Sequence, residues 1–148
     1  MNLFAMFDVS GSALTAERER AEIVASNMAN AETTRTAGGG PYQRQEVVFR
    51  SAPVGNPSFA ETLASASLDD RSVQGVEVAQ VATDSTPPIR RFDPSHPDAD
   101  KDGYVSYPAI NPVEEMVDLM GAARAYQLNI SAIQSTKQMI QQSLEILS

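Results

Sequence analysis

The last 37 residues, from Pro112 to Ser148, carry the pattern that most constrains the fold of this chain. An apolar seam steps alternately by three and four residues through Met116, Leu119, Ala123, Tyr126, Ile130, Ile133, Lys137, Ile140, Leu144 and Leu147. This spacing keeps the apolar stripe on one side of a left-handed supercoil. A helix from Pro112 to Leu147 would be about 54 Å long, more than the core of a compact domain of this size can cover. The pattern therefore predicts a helix that packs lengthwise and meets other molecules along part of its seam.

The N-terminal residues repeat the same pattern. Their seam runs through Leu3, Phe7, Ser10, Leu14, Glu17, Ala21, Val24, Met28 and Ala31. Two helices that pack only on each other in one monomer are an alternative reading, but the length of the second helix favours seams shared between subunits. The predicted fold class is α+β, with long N- and C-terminal helices pairing as a coiled-coil-like bundle and a small antiparallel β region and flexible loop between them.

Turn and strand signals divide the chain further. The first helix is expected from Leu3 to about Ala31, and the last begins at Pro112 because Asn111 is a favourable N-cap and proline suits the first helical position. Aromatic and β-branched residues predict four strands, which are Tyr42–Arg50, Val76–Val81, Ile89–Phe92 and Tyr104–Tyr107. We expect a terminal-helix assembly domain made of 1–35 and 111–148, and a middle β and loop region at 36–110. Residues 51–75 are rich in proline, glycine, serine and alanine, which predicts a flexible stretch.

Charge and composition exclude several classes of partner. The formal net charge is −8, and the chain has no cluster of lysine and arginine. Nucleic acids and anionic membranes both need a basic footprint, so we expect neither as a partner. No run of 18 apolar residues is present, so no membrane-spanning helix is predicted. The N-terminus lacks the basic segment and cleavage site of a secretory signal peptide.

One segment resembles a metal site. Asp98–Gly103 matches the first half of an EF-hand loop, with carboxylates at positions one, three and five and glycine at six. Position twelve, where a glutamate should close the coordination shell, is Ala109. Aspartate and glycine also suit a tight turn between Phe92 and Tyr104, so we predict a structural turn and no metal site. A calcium-binding extracellular interaction module that uses this loop remains the alternative function.

No constellation for catalysis is evident. His96 is the only histidine and cysteine is absent, which excludes the common zinc and Ser-His arrangements within one chain. Gly38–Gly40 lacks the Gly-Lys-Ser/Thr continuation of a phosphate-binding loop. The carboxylate pairs Glu114–Glu115 and Asp69–Asp70 are expected in solvated segments, where nothing would tune their pKa for acid-base work. We predict no catalytic residues, no cofactor and no enzymatic activity.

Several motifs together resemble one family. They are Ser12–Arg18, Ala25–Thr33, Pro41–Arg44, Val47–Phe49, Asp93–Pro94, His96–Asp100, Gly103–Val105, Asn111–Val117, Arg124–Gln127 and Thr136–Lys137. In this order they resemble the flagellar rod and hook axial proteins of bacteria, and within that family the short subunits of the proximal rod. The resemblance covers nearly the whole chain apart from residues 51–75.

The resemblance implies a structural role in the bacterial flagellum. Subunits of this family assemble helically into the basal-body rod, with the terminal helices forming an inner tube around the export channel. The implied partners are further copies of the chain, other flagellar rod proteins, membrane-ring and rod-base components, and the flagellar type III export apparatus. The implied location is the periplasm-spanning rod, which the subunit reaches without a cleaved signal peptide.

The seams and the family motif together give a candidate assembly interface. Its residues are Phe7, Leu14, Ala21, Val24, Asn27, Met28, Asn30, Met116, Leu119, Ala123, Tyr126, Ile130, Ile133, Ile140, Leu144 and Leu147. A charge at Ile130 or Ile133 is expected to block polymerisation because a buried, unpaired charge is costly. A partial deletion within Pro57–Ser67 is expected to leave assembly intact.

Overall fold

The fold consists of two long helices and four strands. The structure is a computed structural model that describes residues 3–53 and 74–147, with side chains described for 5–53 and 74–145. In chain order the elements are α1 (Leu3–Ala29), β1 (Gln45–Pro53), β2 (Gln74–Thr83), β3 (Ile89–Phe92), β4 (Tyr104–Tyr107) and α2 (Pro112–Leu147). Both predicted helices and all four predicted strands are present. The predicted coiled-coil pairing of the helices remains a prediction.

Helix α1 ends two residues earlier than predicted. The Asn30 side-chain amide donates a hydrogen bond to the Ser26 carbonyl at 2.9 Å, and the Thr33 N–H donates to the Asn30 carbonyl at 3.0 Å. Asparagine competes with the helical backbone in this way, which favours a turn over another helical residue. The chain therefore leaves α1 through a turn and not through a longer helix.

Helix α2 has the predicted bounds. The Asn111 side-chain oxygen accepts a hydrogen bond from the Val113 N–H at 3.1 Å, and the Asn111 carbonyl accepts one from the Glu115 N–H at 3.1 Å. These are the contacts of an N-cap, and Pro112 occupies the first helical position, where its missing N–H costs nothing. The start of α2 is thus fixed by local sequence.

Strands β1 and β2 form a two-stranded sheet. They pair in antiparallel fashion, since the Asp84 N–H donates to the Arg44 carbonyl at one end and Arg50 Nε donates to Glu77 at 3.0 Å further along. β1 begins later than predicted, and both strands extend into the stretch expected to be flexible. Within that stretch residues 51–53 and 74–75 are strand, while 54–73 lie outside the described residues.

Strands β3 and β4 form a separate antiparallel hairpin with the predicted bounds, in the register Ile89↔Tyr107 to Phe92↔Tyr104. Sequence predicted one small sheet, but the described strands form two. The segment between β2 and β3 explains the break, because Pro87 and Pro88 have no N–H to donate to a ladder. The Asp84 carboxylate also accepts the Thr86 N–H at 2.9 Å, which closes a turn there.

The chain divides into two compact units. One comprises Met1–Glu19, Phe49–Ala79 and Ala123–Ser148, and the other comprises Arg20–Val48 and Gln80–Ala122. We call them the first and second units. Each contains part of both helices. The buried apolar side chains in the described part of the chain are few and mostly small, namely Ala16, Val24, Val105, Ile110 and Ala122.

Candidate assembly interface

An apolar helix face is exposed at the start of α2, in the second unit. Val113, Met116, Val117 and Met120 are spaced by three, one and three residues, so they project from one side of the helix. Their exposed fractions lie between 50 and 69%. Soluble monomers seldom expose contiguous apolar surface unless it meets a partner. We call these four residues the α2 apolar face.

The part of α2 in the first unit also exposes large apolar side chains. Leu128 and Leu144 are each about two-thirds exposed, and Met139 is also exposed. Exposure of apolar side chains to water is unfavourable. Both parts of α2 therefore present apolar surface to their surroundings.

The predicted interface residues fall into three classes of burial. The exposed members are Met116, Ala123, Tyr126 and Leu144. The partly buried members are Phe7, Leu14, Ala21, Met28, Asn30, Leu119, Ile130, Ile133 and Ile140. Val24 and Asn27 are buried. Leu147 ends α2, and its side chain lies outside the described part of the chain.

The most deeply buried positions of α2 precede the predicted seam by one residue. Glu115, Ala122 and Thr136 are at most 2% exposed, whereas the seam positions that follow them are Met116, Ala123 and Lys137. One residue corresponds to a rotation of about 100° around a helix. The predicted seam thus lies beside the stripe that the subunit itself buries, and several of its side chains remain accessible.

Asn27 on α1 lies at a buried polar junction within the second unit. Its side-chain amide is 0% exposed. Nδ2 donates to the Gln45 carbonyl at 2.8 Å and to Glu115 Oε2 at 3.0 Å. Oδ1 accepts the Gln45 N–H at 2.9 Å and the Tyr42 hydroxyl at 3.1 Å. All four hydrogen-bonding positions of the amide are therefore used within the chain.

Glu115 on α2 is the second member of this junction, and its position corrects the expectation that the Glu114–Glu115 pair is solvated. Its side chain is 1% exposed, while Glu114 is exposed. Glu115 Oε1 accepts a hydrogen bond from Arg44 Nε at 2.6 Å. Adjacent helical residues point about 100° apart, so one glutamate of a pair can face the interior while the other faces water.

Arg44 balances the buried carboxylate. Besides Glu115 it contacts Glu46, and its Nη2 lies 3.8 Å from Asp118 Oδ2. Burial acts to lower the pKa of Arg44, but the hydrogen bonds and charges of Glu115 and Glu46 outweigh it and hold that pKa above its ordinary value. Arg44 is therefore a permanent cation against α2. We call Asn27, Tyr42, Arg44 and Glu115 the polar junction.

The Asp98–Gly103 segment forms the turn of the β3–β4 hairpin. Asp98 Oδ2 accepts the Thr34 hydroxyl at 2.7 Å, and its Oδ1 lies 3.6 Å from an Arg35 nitrogen. Asp100 Oδ1 accepts the backbone N–H groups of Asp102 and Tyr104, both at 2.9 Å. The carboxylates of Asp98 and Asp100 thus both bind partners within the chain.

The charge state of Asp100 fits this structural role. The backbone hydrogen bond from Tyr104 is the main cause that holds the pKa of Asp100 below its ordinary value, with Arg90 contributing. Gly103 has a φ of +81°, as the turn requires. Among the described residues no group of three or more histidine, aspartate or glutamate side chains could hold a metal ion.

His96, the only histidine, belongs to the same turn. Its Nδ1 accepts a hydrogen bond from the Asp98 N–H at 3.1 Å. Its ring packs edge-to-face with the Tyr107 ring, with 6.2 Å between the ring centroids. His96 therefore stabilises the loop and packs against Tyr107 of β4. Sequence reasoning placed it in a loop correctly.

Sequence reasoning did not find the polar junction. The family motif predicts Asn27 as an interface residue, which stays a prediction, and its amide is fully hydrogen-bonded inside the subunit. The available signal was that all four members lie in motifs of the family resemblance, which are Ala25–Thr33, Pro41–Arg44 and Asn111–Val117. Nothing in the local pattern links these motifs to one another, because the contacts depend on tertiary structure.

Comparisons with known proteins point to one family. Residues 7–35 match the family described as flagella basal body rod protein, and residues 101–146 match the C-terminal family of flagellar basal body rod FlgEFG proteins. Within the described residues no helix is both long and apolar enough to cross a membrane.

Full-length relatives agree with these matches. The flagellar basal-body rod protein FlgC of Borreliella burgdorferi is 43% identical and that of Bacillus subtilis 38%, each over 99% of both chains. FlgC of Salmonella typhimurium is 35% identical over 99% of this chain and 98% of its own length. The matches extend from one terminal helix to the other at identities well above the level expected by chance, and the chain belongs to the FlgC family of flagellar basal-body rod proteins.

Proposed function

We propose that this protein is a structural, non-catalytic subunit of the rod of the bacterial flagellar basal body. The observation that carries the proposal is the similarity over almost the full length of the chain to proteins named as flagellar basal-body rod protein FlgC. Similarity of this extent covers both terminal helices and the strands between them. It therefore supports the same role for the whole chain and not only for one of its parts.

The more detailed proposal concerns assembly. The subunit polymerises helically in the proximal rod through its terminal helices, next to further copies of itself and other rod proteins, with membrane-ring and rod-base components at one end. It reaches this position through the flagellar type III export apparatus without a cleaved signal peptide. The seam residues predicted from sequence form the contact surface, and the family motifs in the terminal helices support this assignment.

A physical argument supports assembly through α2. The described part of the chain buries few large apolar side chains, while the α2 apolar face is largely exposed. Burial of apolar surface contributes roughly 25 cal/mol per Å². A neighbouring subunit that covers this face would remove its apolar surface from water and so stabilise the assembled form relative to the isolated subunit. Folding and assembly would therefore reinforce each other.

The proposal can be tested in the native organism. A strain that lacks the gene is compared with one that expresses the protein tagged near Ser65, and hook–basal bodies are isolated from both after detergent extraction. We expect the tagged protein to co-purify with basal bodies and the deletion strain to lack rods. Intact rods in the deletion strain, or basal bodies that lack the tagged protein in a motile strain, would contradict the proposed function.

A further inference from the structure

The polar junction connects three parts of the chain that are distant in sequence. Asn27 lies on α1, Tyr42 and Arg44 lie before β1, and Glu115 lies in the first turn of α2. The bond from Asn27 Nδ2 to Glu115 Oε2 joins residues 88 apart. Both side chains are at most 1% exposed. A contact between buried, directional groups of this kind fixes the position of one helix along the other.

The apolar packing of the second unit is poorly suited to this task. The buried apolar residues of its two helix segments are Val24 and Ala122, which are small. Small side chains offer little shape to distinguish one helix register from the next, since cores tolerate exchanges of similar volume. A buried hydrogen bond distinguishes registers sharply, because a slipped register leaves its donors and acceptors unpaired.

A slip of one turn shows how selective the contact is. Moving α1 by four residues would bring Ile23 or Ala31 opposite Glu115, and neither has a side-chain donor. Asn30, three residues further on, has its amide bonded to the Ser26 carbonyl at 2.9 Å. Glu115 would then keep only Arg44 as a partner, and the Gln45 backbone would lose both of its bonds to Asn27.

We propose that Asn27 and Glu115 are positioning residues that set the register of α1 against α2 within the second unit of the free subunit. Buried polar groups elsewhere fix helix register and oligomeric state at some cost in stability. The α2 apolar face begins in the same turn as Glu115, so the junction also determines where that face lies relative to α1. This consequence for rod assembly rests on the proposed function, whereas the register itself is a property of the free subunit.

The test measures a distance in the full-length free subunit. The chain has no cysteine, so Ala25→Cys on α1 and Glu114→Cys on α2, both exposed positions, can be spin-labelled uniquely. Double electron–electron resonance should give one narrow distance distribution. We expect Asn27→Ala to broaden it or to add a second population, because a slip of one helical turn moves one label by about 5.4 Å along the helix axis. A distribution that stays single and narrow in Asn27→Ala would overturn the proposal.

A matched control separates register from stability. Val105 is 1% exposed in the same unit and takes no part in the junction. Val105→Ala should destabilise the subunit through a cavity while the label distance stays single and narrow. If Val105→Ala broadens the distribution as much as Asn27→Ala does, the junction has no special role in register.

A milder variant covers the case in which Asn27→Ala does not fold. Glu115→Gln keeps the size of the side chain but replaces one of the two oxygens that accept from Arg44 Nε and Asn27 Nδ2 with an NH₂ group. In either orientation of the amide one of these two donors then faces another donor, and we expect the distance distribution to broaden. A distribution that stays single and narrow in Glu115→Gln would overturn the proposal. This result does not depend on whether the deletion strain builds a rod.

Discussion

Glu115 illustrates how one buried carboxylate is stabilised by its neighbours. It receives hydrogen bonds from Arg44 at 2.6 Å and from Asn27 at 3.0 Å. We expect Glu115→Ala to lower the free energy of unfolding by about 3 kcal/mol, because the change leaves a partly buried guanidinium without its main partner. Urea unfolding of the purified subunit, followed by circular dichroism, measures this loss.

The adjacent glutamate provides the control. Glu114 is exposed on the same helical turn, so Glu114→Gln should change the free energy of unfolding by no more than about 0.5 kcal/mol. Equal losses at the two positions would mean that charge at the start of α2, and not the buried contact, is what matters.

Gly103 and Gly39 form a natural pair for measuring a close contact. Both have a φ of +81°, but a Cβ on Gly103 would lie 2.9 Å from a Phe92 ring carbon, whereas one on Gly39 would meet nothing within 4 Å. We expect Gly39→Ala to cost about 1 kcal/mol from backbone strain alone. Gly103→Ala should cost about 1–3 kcal/mol more because the hairpin turn is overpacked.

Chemical denaturation of the two variants gives this difference directly. Equal costs would show that Phe92, which is 67% exposed, moves aside freely and that the glycine is needed only for its φ. A larger cost at Gly103 would show that the Phe92 ring is held against the turn. There it also packs against the Tyr104 ring, with 5.4 Å between the ring centroids.

At the scale of the elements, helix α2 is the part of the molecule most open to a test of assembly. Met116 is half exposed in the α2 apolar face. Met116→Lys should leave the free energy of unfolding within about 0.5 kcal/mol of the wild type. The same change should abolish rod assembly, since a lysine covered by a neighbouring subunit is left as a buried, unpaired charge. Basal-body isolation and motility measure the second effect.

Gln127→Lys is the matched control for Met116→Lys, because Gln127 is an exposed polar position on the same helix. It should assemble normally. This design is cleaner than a charge at Ile130 or Ile133, since those two side chains are partly buried in the subunit and a charge there would also affect folding. Normal rods built by Met116→Lys would exclude the α2 apolar face from the assembly contacts.

Element boundaries were predictable where local chemistry sets them. The N-cap at Asn111, the proline after it, and the aromatic and β-branched residues of β3 and β4 between turn residues each act within a few residues, and the structure has those bounds. The exact burial register of α2 was not predictable. Glu115, Ala122 and Thr136 are buried although two of them are polar. Glu115 is bound by Arg44 and Asn27, which are 71 and 88 residues away in sequence. Hydrophobic periodicity identifies apolar stripes, but it does not identify polar groups that are buried by tertiary contacts.

Across the whole molecule, the net charge and the apolar surface have opposite effects on self-association. Each chain carries a formal charge of −8, so two copies repel each other, while the α2 apolar face favours contact. Raising the ionic strength shortens the screening length from about 30 Å at 0.01 M to about 8 Å at 0.15 M. Repulsion spread over the molecule is weakened by this change much more than apolar burial is.

We therefore expect self-association of the purified subunit to strengthen as salt is raised from 0.01 to 0.15 M, where the screening length falls from roughly 30 to roughly 8 Å. Sedimentation velocity at fixed protein concentration measures the shift. Met116→Lys should remain dissociated at both salt concentrations even though it reduces the net negative charge, because it disrupts the apolar contact. Association that weakens with salt would instead indicate that subunits attract each other through opposite charges, and the apolar face would lose its place as the driving surface.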